Sequence, residues 1–269
     1  MKMRKKSIIS VIAVMVLSVI LVACGSKTGK TTSEKDLAKQ DATATLNYFY
    51  KGKSAGFKDV SGKDASEFTD DLLSSLYDKK MKEAKDDGIS TKVDEVDLDL
   101  SPVLKKWVKL RLENMRQIDK YKITSVKTKG KTATIKFTID PLADTQGANN
   151  LTNLKAHILQ DTELALMAGS STDPTVKSGM YIINFELYNE LYGDHAMKYP
   201  QYGKDKTITM TMTKKGDHYT ITKDTIYDLI KDSSVGEYST GKDKKANDKA
   251  IDRVLKAVDY DNEQSKDDK

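Results

Sequence analysis

The residue best placed for a defined covalent reaction is Cys24, the only cysteine in the 269-residue chain. It follows Leu21-Val22-Ala23 and precedes Gly25-Ser26, at the end of an apolar run from Ile8 to Ala23 broken only by Ser10 and Ser18. Small residues ahead of a cysteine let an extended backbone enter a peptidase site, which gives Leu21, Val22 and Ala23 the recognition role. The thiol is the one side chain there that can take a diacylglycerol as a thioether, and cleavage frees its amine for further acylation. At roughly 0.8 kcal/mol per buried CH2, two or three acyl chains make an anchor that one chain does not. The basic head Lys2, Arg4, Lys5, Lys6 and the run itself, shorter than the about 20 residues of a membrane span, read as a cleaved export signal over residues 1–23.

Other candidate chemistries fail on spacing. Gly25-Ser-Lys-Thr-Gly29-Lys30-Thr31 looks like a phosphate-binding loop, but it has three residues between glycines where four are needed and no strand before it. His157, His195 and His218 form no His-x-x-x-His or Glu-x-x-His pair, so no metal site is expected. Asp94, Glu95, Asp97 and Asp99 lack the tight glycine turn of a calcium loop and alternate with Val96 and Leu98, as a solvated face would. Ser178, in Val-Lys-Ser-Gly-Met, lacks the first glycine of a nucleophile elbow. With its cysteine lipidated, the exported part has no thiol for a disulfide or a metal. No catalytic residue, cofactor or metal is therefore assigned, and a non-enzymatic role is expected.

One pattern points to binding. Tyr181, Phe185, Tyr188 and Tyr192 recur at i, i+4, i+7 and i+11, an aromatic stripe on one helix face, with Tyr199 and Tyr202 beyond it. Tyr48, Phe49 and Tyr50 close an earlier helix. Such a stripe serves either as core with its hydroxyls reaching the surface, or as the lining of a groove for a peptide, glycan or lipid.

The elements that must position these residues follow from periodicity. Residues 24–35 are Gly-, Ser-, Thr- and Lys-rich and read as a flexible tether carrying the lipidated cysteine. The spacing predicts a helix from Asp36 to about Gly52, a second over Ala65 to Asp86, and a short strand or extended arm at Val96 to Leu100. A third helix should start with Ser101 as N-cap and Pro102 as first residue and run to about Ile118. Tyr121 to Ile139 alternates apolar and polar residues around Lys129-Gly130-Lys131, a hairpin. Asp144 to Asn150 reads as a polar loop, Leu151 to Ala168 as a helix, Gly169 to Thr175 as a turn, and Val176 to Met197 as a long helix. A second hairpin, Thr207 to Thr222, turns at Lys215-Gly216-Asp217, and Thr225 to Ile230 closes as a short helix. The two hairpins invite a pseudo-repeat, although two hairpins with one wet face each would share that composition without duplication. The class expected is α+β, amphipathic helices on an antiparallel sheet built from two hairpins.

Charge agrees with an exported, hydrated surface. The chain carries 45 Lys+Arg against 40 Asp+Glu, net +5. Loss of Lys2, Arg4, Lys5 and Lys6 with residues 1–23 leaves 41 against 40, so nothing implies a nucleic-acid partner. The extracytoplasmic domain is expected over residues 36–235. Residues 236–269 are charged, with one short amphipathic helix around Ile251, Val254 and Val258, and are expected to be mobile or loosely docked.

Leu21-Val22-Ala23-Cys24, the tether, Ala44-Thr-Leu-Asn-Tyr-Phe-Tyr-Lys-Gly52 and the two hairpins together resemble a group of lipoproteins of low-GC Gram-positive bacteria defined by a domain of unknown function. The four residues ending in Cys24 match the lipobox of such proteins. The segment Thr211 to Thr222 also looks like the final hairpin of cystatin-like or NTF2-like lipoprotein domains, with Tyr219 where those carry Trp. The resemblance implies a lipid-anchored domain on the outer face of the cytoplasmic membrane, diacylglyceryl- and palmitate-modified at Cys24, with a binding or accessory role toward a small ligand or an envelope protein. It supplies no catalytic residues. A solute-binding component of a transporter, which usually has two parallel-sheet lobes, and an envelope enzyme are the alternatives.

Overall fold

The computed structural model describes residues 32–89, 92–93, 96–97, 99–159, 171–194, 197–240 and 249–256. The stretch read as an export signal, Cys24 and the glycine–lysine segment after it lie outside the described residues. So do His195, Asp94 and Glu95.

Helix α1 (Glu34–Lys51) begins within the stretch read as tether. Ala38, Ala42, Leu46 and Phe49 fall on one face at i, i+4, i+8 and i+11, and all are buried. The helix stops at Gly52, whose φ of 62° is open to glycine without Cβ strain. The short helix α2 (Phe57–Ser61), which periodicity did not announce, exists to seat Phe57. That ring is fully buried, stacked on Tyr48 with centroids 3.8 Å apart, and Phe68 meets it edge-on at 4.9 Å. Phe68 belongs to α3 (Ala65–Asp86), whose bounds are those the spacing predicts.

Strands β1 (Lys92–Val93) and β2 (Val96–Asp97) pair antiparallel, so Val96 starts a short strand, one of the two forms the alternation suggested, with a partner strand that it did not. Helix α4 (Ser101–Met115) starts one residue earlier than its sequence suggests: Leu100 is the N-cap and Ser101 lies inside the first turn. The reason is Asp99, whose carboxylate accepts the Ser101 N–H at 2.9 Å and does the capping that Ser101 was expected to do. That bond also holds the Asp99 carboxyl below its ordinary range.

The two hairpins close as expected and join into one sheet. Strands β3 (Tyr121–Lys129), β4 (Thr132–Ile139), β6 (Lys206–Lys215) and β7 (His218–Thr220) lie in the order β3-β4-β6-β7, every pair antiparallel. The Gly130 and Gly216 turns, at φ 57° and 63°, fall at the same end of the sheet, because Thr132 stands opposite Thr213. Side-chain alternation then sorts the two faces. Ala133, Ile135, Phe137 and Ile139 on β4 and Ile208, Met210 and Met212 on β6 are buried in the main core with α1. Each large side chain so buried contributes about 1.5–3 kcal/mol before entropy is counted. Their neighbours face out.

Asp144 to Asn150, expected as a polar loop, is instead the first half of α5 (Asp144–Leu159). Its polar residues bond along the helix and across it: Gln146 Nε2 donates to Asn150 Oδ1 at 3.0 Å, and Asp144 sits where the helix dipole favours an anion. Strand β5 (Leu142–Ala143) leads into it and pairs parallel with β8 (Ser234–Val235). Helix α6 (Pro174–Asn189) has Asp173 as N-cap, accepting from Thr175 and Val176, and gives way to a π-helical turn at Glu190–Asp194. Helix α7 (Lys223–Asp232) has Thr222 as N-cap and puts Ile226 and Leu229 into the core. The described residues beyond 235 also pack on the domain. Ser239 is buried, Thr240 donates its N–H and hydroxyl to the Tyr202 carbonyl, and a helical segment at 249–256 buries Ile251 and Val254 in the main core. The fold is α+β, helices against one face of a four-stranded antiparallel sheet.

Candidate functional site

The aromatic stripe on α6 divides in two. Tyr188 and Tyr192 are both 5% exposed, and with Tyr199 they close a buried polar network between α4, α5 and α6. At its centre Arg111 donates to Asp144 through both guanidinium arms, at 2.9 and 3.1 Å. The Tyr199 hydroxyl donates to the same carboxylate at 3.1 Å, and its ring lies under the guanidinium, 5.3 Å from centroid to Cζ. Asn114 donates to the Tyr188 hydroxyl at 2.7 Å, and Asn150 reaches the Tyr192 hydroxyl at 3.5 Å.

Proton affinities follow from that enclosure. Burial pushes the phenols of Tyr188, Tyr192 and Tyr199 above the usual tyrosine range. Burial also works against the charge on Arg111, but Asp144 outweighs it, so the guanidinium holds its proton more tightly than in water. The donors and acceptors here are turned on each other. The arrangement cross-links three helices and leaves no ring free to line an open groove at Tyr188 or Tyr192.

The other half, Tyr181 and Phe185, is partly buried against a second, smaller cluster formed by Ala84, Ile89, Leu100, Val103 and Leu104. Trp107 meets Phe185 edge-on at 5.2 Å, and Lys80 lies over both rings at 5.4 and 5.9 Å. The Tyr181 hydroxyl is buried without a hydrogen-bond partner among the described residues, and burial, with Glu83 and Asp87 nearby, pushes its proton affinity up to about 12.

A second polar cluster, which the sequence reading did not assemble, ties the second hairpin to α1. Asp41, 2% exposed in the middle of α1, accepts the Tyr219 N–H at 2.7 Å and faces His218 Nδ1 at 3.0 Å. The bond to Asp41 raises the His218 proton affinity. Beside it the Tyr219 hydroxyl donates to Glu34, which also pairs with Lys214. These two partners, Lys214 first, hold the Glu34 carboxyl below its ordinary range. An Asp–His pair is the start of acid–base machinery, but among the described residues no hydroxyl is hydrogen-bonded to the other ring nitrogen. The sequence signal was hidden because Asp41 and His218 are 177 residues apart.

His157 lies on α5, and Ser178 is fully buried within α6. Among the described residues no group of three or more His, Cys, Asp or Glu side chains could hold a metal ion, and no helix is long and apolar enough to cross a membrane. An open hollow of about 550 Å³ lies between Tyr202, Lys206, Lys231, Asp232 and Glu237. The Lys206 ammonium at its wall is engaged by the Asp232 and Ser234 carbonyls at 2.8 and 3.2 Å.

The outward face of the sheet is of a different kind. Thr132, Thr134 and Thr138 on β4 stand directly opposite Thr213, Thr211 and Thr207 on β6. Lys122, Lys127 and Lys129 on β3 flank them, Lys136 faces Thr209, and Lys215 ends β6. All five lysines are exposed.

No family model and no curated protein matches the chain. Among solved structures it is similar to ycdA of Bacillus subtilis subsp. subtilis strain 168, described as a candidate lipoprotein. The likeness has a TM-score of 0.47 at 17% identity and covers 75% of this chain and 56% of that one. The chain thus spans little more than half the length of that protein, and the match carries over no functional residue.

Proposed function

We propose that this chain is a lipid-anchored, non-enzymatic protein of the cell envelope, held on the outer face of the cytoplasmic membrane through Cys24 and acting by binding. The observation that carries the reading is the position of the sole cysteine. It stands in Leu21-Val22-Ala23-Cys24, at the end of a basic-then-apolar leader and ten residues ahead of the first helix of the domain.

The test is metabolic labelling of the full chain in a host that processes bacterial lipoproteins, using a clickable palmitate analogue. The native chain is expected to take the label and to sediment with membranes, and Cys24→Ala to do neither. Label retained on the Cys24→Ala chain, or absent from both, would overturn the anchor. Crosslinking on intact cells then identifies what the anchored domain touches, and a substrate turned over by the purified chain would overturn the non-enzymatic part.

A further inference from the structure

The sheet presents a cationic face with no acidic counterpart on its own strands. β3, β4, β6 and β7 contain no aspartate or glutamate at all. Outward from them stand Lys122, Lys127, Lys129, Lys136 and Lys215, spaced by short threonine side chains whose hydroxyls can donate. Lys131, in the Gly130 turn, extends the positive charge onto the hairpin tip, and its carbonyl receives the Lys214 N–H. Three carboxylates of the described residues lie at its rim. Asp217 lies in the Gly216 turn, Glu34 is taken by Lys214, and Asp228 of α7 borders Thr209 and Thr211 at the far edge. A flat face of this composition complements a plane of negative charge.

The chain's own connectivity brings such a plane close. α1 begins at the hairpin-tip end of the sheet, where the Glu34 carboxylate meets both Lys214 and the Tyr219 hydroxyl. Glu34 is the tenth residue after Cys24, and a chain of that length spans at most about 35 Å. A lipid on Cys24 therefore keeps the hairpin-tip end of this face, with Lys129 and Lys215, within about one tether length of its own headgroup layer. Lysines held near an anionic leaflet are attracted to it within about a Debye length, roughly 10 Å at 0.1 M salt.

We propose that the lysine–threonine face of the sheet docks on anionic lipid headgroups, laying the tethered domain sheet-down on the membrane that carries it. Anchor and face act as two signals, the acyl chains fixing the domain to the bilayer and the lysines fixing its orientation. This rests on the Cys24 anchor, and the two parts fail separately.

The test is amine-reactive labelling of the full lipid-modified chain in nanodiscs, read residue by residue by peptide mass spectrometry. In discs containing phosphatidylglycerol, labelling of Lys122, Lys127, Lys129 and Lys136 should fall by about threefold or more relative to phosphatidylcholine discs, and high salt should restore it. Lys82 and Lys85, exposed on α3, serve as internal controls and should not change. Replacing Lys122, Lys127 and Lys136 together by Glu should abolish the protection of Lys129 without altering the mass of lipid on Cys24 or the unfolding midpoint. Equal labelling in the two kinds of disc overturns the proposal. So does protection by soluble polyphosphate in neutral discs with none from phosphatidylglycerol, which would assign the face to a soluble polyanion. If intact mass shows Cys24 unmodified, the anchor fails. The same full chain is then tested by co-sedimentation with phosphatidylglycerol vesicles, where absence of binding overturns the face as well.

Discussion

Tyr199 occupies the space that a side chain at position 147 would need. An ideal Cβ on Gly147 would lie 2.6 Å from the Tyr199 Cζ and closer still to its hydroxyl. Glycine inside a helix ordinarily costs about 1 kcal/mol relative to alanine. Here it makes room for the ring that caps the Arg111–Asp144 pair. Gly147→Ala should therefore destabilise the domain by about 1–3 kcal/mol in urea unfolding, the usual cost of overpacking. Gly179→Ala, in α6 with nothing within 4 Å of its Cβ, should be neutral or stabilising. Combining Gly147→Ala with Tyr199→Phe should cost less than the sum of the two. Additive costs would show that the hydroxyl is not what collides.

Asp144 compensates a guanidinium whose side chain is 15% exposed. Removing the carboxylate leaves that charge without its bidentate partner, which in buried pairs costs about 3–5 kcal/mol. Asp144→Ala is expected near the lower end, because the aspartate side chain is 40% exposed and water can enter. Replacing both residues, Arg111→Met with Asp144→Leu, should restore much of the loss, since two apolar groups leave no stranded charge. A double-mutant cycle measured by chemical denaturation checks this. A cost for Asp144→Ala below about 0.5 kcal/mol would place the pair with surface ion pairs instead.

The contrast between legible and hidden features has a physical basis in these residues. Helix α3 and both hairpins were readable because their signals are local: 3.6-residue spacing of apolar side chains, or strict alternation around a glycine turn. Helix α5 was not, because Asp144-Thr-Gln-Gly-Ala-Asn-Asn150 has the composition of a loop. It is helical through contacts from Arg111 and Tyr199, 33 and 55 residues distant in sequence. At the start of α4 the Ser101 N–H is taken by the Asp99 carboxylate, although Ser101 is itself a good capping type, and only the backbone path decides between them. The aromatic stripe was visible as a pattern, but which of its rings would be enclosed depended on helices α4 and α5. The Asp41–His218 contact joins the first helix to the last hairpin and left no mark in either segment.

The Tyr181 hydroxyl is a buried donor without an acceptor among the described residues, a state that costs about 1–3 kcal/mol when the group is fully desolvated. Tyr181→Phe keeps the ring against Phe185, 4.7 Å away between centroids, and removes only the stranded oxygen. The variant should be as stable as the native chain or more stable, by up to about 1 kcal/mol. Tyr188→Phe, which leaves the Asn114 amide without its 2.7 Å acceptor, should be destabilising by about 1 kcal/mol. Opposite responses at two positions of one stripe would be read directly from thermal or urea unfolding. Equal losses at both would show that the Tyr181 hydroxyl contributes a bond to the folded state.

His218 should make the stability of the domain depend on pH near neutrality. Its Nδ1 faces the buried Asp41 carboxylate at 3.0 Å, with Asp59 and Asp217 adding to the negative field, and together these raise its proton affinity above the ordinary value of about 6.5. The folded chain therefore binds this proton more tightly than the unfolded chain does. The resulting stabilisation is fully present below about pH 6.5 and is lost as pH rises through the higher, folded-state value. Between about pH 6 and pH 9 the native chain should lose stability that His218→Gln, lacking the titrating ring, does not lose. The difference between the two unfolding curves across that range isolates the histidine from every other titrating group. A ring titration followed by NMR should place the His218 midpoint above that of a histidine in the unfolded chain. A midpoint at or below it, or parallel pH dependence in the two proteins, would remove the ion pair from the forces that fasten the second hairpin to α1.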